Sequence, residues 1–129
     1  MAIGVCIETP TEFARYTVSD ATAIPIGTLM KLIDPHAAIA GTADADPFAG
    51  IAWEEKTASD GLTELSCAKN GVWDLEGGPA ITAGALVSIS GANIIKAATE
   101  AEEILGAVIG KAEETGTAEV IRVRVGRTV

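Results

Sequence analysis

Histidine, cysteine, aromatic side chains and positive charge are all scarce in this chain, and each scarcity narrows the function. The one histidine, His36, follows Pro35. A general base needs an oriented partner and a nearby nucleophile, and no spacing here proposes either, so His36 reads as a solvated turn residue. Cys6 and Cys67 are too few and too far apart for a disulfide framework or a zinc site, and read as free thiols of a reducing compartment. Aromatics are 4% of residues within a hydrophobic content of 48%, so Ile, Val, Leu and Ala must fill the core. Lys and Arg number 9 against 18 Asp and Glu, a net charge of −9. That balance argues against electrostatic binding of nucleic acid or an anionic membrane. No glycine cluster precedes a helix pattern, so there is no phosphate cradle on a helix N-terminus. The first 13 residues lack a basic stretch followed by a continuous apolar run, so no targeting segment is evident. Residues 77–95 carry no charge and approach membrane-spanning length. Gly77, Gly78, Pro79, Gly84 and Gly91 divide that run into two strands and their turns.

What the chain does have is an internal duplication. Ala23-Ile24-Pro25-Ile26-Gly27-Thr28-Leu29-Met30-Lys31-Leu32 reads against Ala80-Ile81-Thr82-Ala83-Gly84-Ala85-Leu86-Val87-Ser88-Ile89. Phe48-Ala49-Gly50-Ile51-Ala52 then reads against Ile104-Leu105-Gly106-Ala107-Val108, Asp60-Gly61 against Thr115-Gly116, and Gly71 against Gly126. The glycine offsets are 57, 56, 55 and 55 residues. Glycines held in register mark positions needing positive φ or close approach. Two copies of a β-unit are too few for a solenoid and predict a pseudo-symmetric barrel or sandwich.

Ile3, Val5 and Ile7 alternate with Gly4, Cys6 and Glu8 as in a strand, and Thr9-Pro10-Thr11 breaks the pattern. Ala14, Tyr16 and Val18 open the first barrel strand. Copy one predicts strands over 28–33, 36–40, 48–54 and 62–69; copy two predicts them over 85–90, 93–97, 105–111 and 119–125. Asn70-Gly71, between 62–69 and 72–75, carries a two-residue hairpin signal. Residues 98–103 have helix-like composition but suffice for one turn. The expected fold is all-β: a small pseudo-duplicated β-barrel, SH3-like or β-tulip-like, with an extended N-terminal arm. Residues 1–10 form the arm and 11–129 a single barrel domain, with the repeat at 23–71 and 80–126.

Asp44 and Asp46 lie in an alternating acidic loop, but the glycine and distal Glu of a calcium loop are missing, so no metal and no cofactor is expected. Arg122, Arg124 and Arg127 place three of the nine basic charges within the last eight residues. Arg122 and Arg124 share a strand face opposite Ile121, Val123 and Val125. That face is either solvated or paired with acidic groups of a neighbouring subunit or partner. Trp53 and Trp73 read as core or interface anchors. Met30-Lys31 resembles the modified-lysine context of biotinyl and lipoyl carrier domains, an alternative, yet Lys31 falls inside a strand whose second copy carries Ser88, not at a hairpin tip.

The runs at 27–32, 46–52, 70–75, 80–91 and 116–125 resemble those of tailed-virus capsid decoration, or cement, proteins. The resemblance covers roughly residues 16–125 and is spread over many weak positions. It implies a non-enzymatic virion protein on the outer capsid surface, a homotrimer that bridges capsomers by binding the major capsid protein, with no role for nucleic acid or membrane. Another phage structural β-module, of a tail or head–tail joint, is the alternative. The arm matches no family motif, so its role is argued from physics. A lone strand cannot satisfy its backbone or bury Ile3, Val5 and Ile7 without a partner. The partner is a sheet edge on the capsid protein, on a neighbouring trimer, or on the chain's own barrel. Ile3, Val5, Ile7, Arg122, Arg124 and Arg127 are therefore the expected partner-binding residues.

Overall fold

A computed structural model describes residues 3–34, 36–104 and 107–126. Among the described residues, alternating and β-branched runs become eleven strands. They are β1 (Val5–Glu8), β2 (Phe13–Thr17), β3 (Leu29–Ile33), β4 (Ala37–Ala40), β5 (Phe48–Ala52) and β6 (Glu64–Ala68). After them come β7 (Gly71–Gly77), β8 (Leu86–Gly91), β9 (Ile94–Ala97), β10 (Val108–Ala112) and β11 (Val120–Val125). A single helical turn, α1 (Glu100–Ile104), sits between β9 and β10. It is held by a reciprocal capping box: Thr99 N–H donates to Glu102 Oε1 at 2.8 Å and Glu102 N–H to Thr99 Oγ1 at 3.3 Å.

The chain adopts the expected all-β, pseudo-duplicated barrel fold, and the duplication goes further than one shared barrel. Copy one closes in the order β2-β4-β3-β5-β6. Copy two closes in the same order, β7-β9-β8-β10-β11, with β1 added at the outer edge of β7. The first strand of each unit, β2 or β7, pairs antiparallel with the last and meets the third by a short parallel contact. The bridge Ile24↔Lys56 recurs as Ile81↔Gly116. Gly27 and Gly84 share φ values of 95° and 93°, while His36 and Asn93 take the left-handed position of the following turns at 49° and 57°.

Three sequence readings need correction. Gly116 answers Lys56 and not Gly61, since the bridges Ile24↔Lys56 and Ile81↔Gly116 are equivalent. The partner of Gly50 is Gly110, not Gly106, which lies outside the described residues: Met30↔Gly50 answers Val87↔Gly110, each beside a β-bulge. The offset grows here because α1 lengthens the connection after β9. Asn70-Gly71 also makes no hairpin. β6 pairs with β2 and β5, and β7 pairs with β1, β11 and β9, so this dipeptide is the passage from one barrel to the other.

The barrels are joined by a common core. Inside barrel one sit Tyr16, Met30, Leu65 and Cys67 among several alanines. Leu29, Ile51 and Ala68 instead point away from that interior and pack with Trp73, Leu75, Ile89 and Val123 of barrel two. Hydrogen bonds cross the same seam: Leu29 N–H to Asn93 Oδ1 at 3.0 Å and Ala45 N–H to the Ile89 carbonyl at 2.9 Å. Phe13, Trp53 and Trp73 form a ladder with ring centroids 5.5 and 5.9 Å apart, so both tryptophans serve the seam.

Candidate partner-binding surface

The arm lies on its own barrel. β1 runs antiparallel to β7, with Val5 opposite Asp74, Cys6 opposite Trp73 and Glu8 opposite Val72; Ile7 is the extra residue at the register shift. Cys6 faces inward against the core, and burial raises its thiol pKa. Val5 and Ile7 face outward, Val5 at 59% exposure, and Ile3 is exposed beside them. The start of the arm crosses the Gly27 turn, where Gly4 N–H donates to the Gly27 carbonyl at 3.0 Å. A Cβ on Gly27 would stand 2.3 Å from the Gly4 carbonyl oxygen, so this crossing requires glycine. Among the described residues no strand pairs with the far edge of β1.

Pro10, which breaks the pattern in the sequence, is where the chain passes from barrel two to barrel one, directly beside the return passage at Asn70-Gly71. Asn70 binds the two passages together. Its Oδ1 accepts Thr11 N–H at 2.8 Å and Glu12 N–H at 3.1 Å, and its Nδ2 donates to Thr11 Oγ1 at 2.9 Å. A Cβ on Gly71 would come within 2.8 Å of the Glu8 carbonyl.

The arginines are engaged within the chain. Arg122 donates through Nε to Asp74 at 3.0 Å, and that bond holds its guanidinium pKa above the ordinary value. Arg124 donates to Glu113 at 3.1 Å and reaches Glu8 of the arm at 3.6 Å. Glu8 and Arg124 both flank Val72, so their contact bridges over a fully buried valine and ties β1 to β11 across β7. Arg127 lies outside the described residues. The structure thus brings Ile3, Val5, Ile7, Arg122 and Arg124 onto one stretch of barrel two, with the apolar three outward and the two charged heads internally paired.

The other polar candidates are also tied into the fold. Asp46 accepts Thr42 and Ala43 N–H at 3.0 and 2.9 Å and pairs with Lys31 at 3.4 Å. Burial pushes its carboxyl up, but those donors outweigh burial and hold the pKa below the usual range. Asp44 pairs across the seam with Lys96 at 2.8 Å. Lys31 therefore lies along a strand with its ammonium engaged. Tyr16 meets His36 at a tilt, with ring centroids 5.0 Å apart. Burial raises the Cys67 thiol to about 11. Among the described residues no three His, Cys, Asp or Glu side chains gather as a metal site would need, and no helix is long and apolar enough to cross a membrane.

Two polar centres gave no sequence signal. Lys56 is fully buried and donates to the Asp20 and Thr57 carbonyls at 2.6 and 3.1 Å and to Asp60 Oδ1 at 3.2 Å, pinning the loops at one end of barrel one. Glu102 is buried against Lys96 at 2.6 Å, Thr99 N–H and Ser88 Oγ. The Lys96 bond, followed by the Thr99 N–H, holds its carboxyl below the ordinary range. Compared with known proteins, the chain matches no family model and no curated protein sequence.

Proposed function

We propose that this chain is a non-enzymatic structural protein that decorates and stabilises the outer surface of an icosahedral virus shell, as a homotrimer that bridges capsomers through the major capsid protein. One observation supports this reading best: Lys31, Asp44, Asp46, Arg122 and Arg124 are engaged within the fold, while large apolar side chains remain on the surface. Ile3, Val5 and Ile7 run along the arm, with exposed Ile26 next to the Gly27 turn it crosses. Ile33 and Ile39, both exposed, share the Lys31 face of the β3–β4 hairpin, with Leu32 exposed on the other face. Grouped apolar surface on a stiff scaffold suits protein–protein contact, and a symmetric lattice multiplies modest single-site affinity. The net charge of −9 suits the outside of a particle better than its nucleic-acid interior.

The test is co-sedimentation of the purified chain with expanded, undecorated heads. Saturable binding at a fixed ratio to the capsid protein, with heads made more resistant to heat, is the expected result. No binding to heads, together with ring or tube assembly, would favour a tail or head–tail module instead.

A further inference from the structure

The duplication leaves two equivalent strand seats and only one arm to fill them. Phe13, Ala14 and Arg15 of β2 face Ala68, Cys67 and Ser66 of β6. Val72, Trp73 and Asp74 of β7 face Arg124, Val123 and Arg122 of β11. Cys67 and Val123 are counterparts, because they pair with Ala52 and Ala112 at the same point of each barrel. The seat occupied by β1 on β7 therefore has a twin along the first half of β2. β4 does not fill it, since β4 meets β2 only at Thr17↔Ala37. Among the described residues no strand lies there.

Exposure follows occupancy. Phe13 is 45% exposed where its counterpart Val72 is 0%. The Arg15 side chain is 54% exposed where that of Asp74 is 24%. The chain's own order explains the vacancy. β1 precedes β2 and crosses to barrel two, but only Lys69 and Asn70 separate β6 from β7, too few residues to send a strand back to barrel one.

We propose that the open edge of β2 takes an extended segment of the major capsid protein by strand addition, antiparallel to β2 as β1 is to β7. The partner's identity rests on the function proposed above; the seat rests on the duplication alone. Local chemistry fixes the segment's pattern. In the filled seat Glu8 lies over Val72 and meets Arg124, but the counterpart of Arg124 is Ala68. Glu12 is the immediate chain neighbour of Phe13. Arg15 is already shared by Glu54 and Glu64. The residue over Phe13 is therefore apolar or a lysine whose stem covers the ring, and a carboxylate there is disfavoured. The residue pointing inward at Ala14 is small or aliphatic, as Cys6 is against Trp73.

The probe is a synthetic peptide copying residues 3–9 with Cys6→Ala, in two versions, one also carrying Glu8→Lys. Each is titrated into the isotope-labelled full chain and followed by amide NMR, with no shell protein present. The expected result is saturable shifts centred on Phe13, Ala14, Arg15 and Ala37, with the Glu8→Lys peptide binding about threefold tighter. Shifts centred on Val72, Trp73 and Asp74, meaning exchange with the chain's own arm, would overturn the proposal. So would the lack of any saturable change up to millimolar peptide. A chain that takes the peptide on β2 but fails to bind heads would keep the seat and refute the shell as partner.

Discussion

At the residue scale, the glycines separate into those the backbone needs and those it does not. Gly27, Gly71, Gly84 and Gly126 all have positive φ, but only Gly27 and Gly84 are counterparts, since the strand register sets Gly126 against Asn70. Gly110 is needed for space: a Cβ there would lie 2.0 Å from the Arg124 carbonyl oxygen, whereas at Gly91 nothing lies within 4 Å. Gly110→Ala should cost at least about 3 kcal/mol in a denaturant melt, and Gly91→Ala less than about 1 kcal/mol. Comparable losses for both would mean that the close strand approach at β10 is not real. Lys56 and Glu102 stayed hidden in the sequence for a simple reason. Charged residues are normally exposed, and nothing local announces that loops will close over them. Glu102 also sets a pH dependence. Its folded pKa is depressed, so its contribution to stability is complete above the ordinary carboxylate range and is lost as pH falls through it. The thermal midpoint should therefore drop below about pH 4, and Glu102→Gln should lower the midpoint at neutral pH while flattening that drop. A variant with the same acid slope as the parent would remove Glu102 from the explanation.

At the element scale, period-two alternation made the strands legible, since burial of one face of each strand enforces it. β3 to β6 and β8 to β11 fall within the predicted runs, give or take a residue. What remained illegible was which strands pair. Asn70-Gly71 has ideal hairpin chemistry, yet Gly71 is required there by the passing Glu8 carbonyl, not by a turn joining its flanking strands. The arm gave the opposite case. Its strand character was plain, but the choice between its own barrel and another molecule depended on an edge of β7 that no local pattern reveals. Val5 and Ile7 now separate packing from binding. Both point outward, so Val5→Ser with Ile7→Ser should change folding stability by less than about 1 kcal/mol. The same pair should abolish most head binding and weaken self-association. Retained binding in a folded double variant would move the contact surface away from the arm.

At the scale of the whole molecule, two small barrels act as one body. Leu29, Ile51 and Ala68 belong to barrel one by chain and to barrel two by packing, so neither barrel keeps its full core alone. The candidate surface was partly visible from sequence, because Ile3, Val5 and Ile7 had to go somewhere. The empty seat on β2 was not, because it exists only as the difference between two closed barrels. The proposed trimeric scaffold is tested most directly by the mass in solution. Light scattering coupled to size exclusion, at tens of micromolar, should show a particle of three 13.1 kDa chains. A clean monomer under those conditions would contradict it.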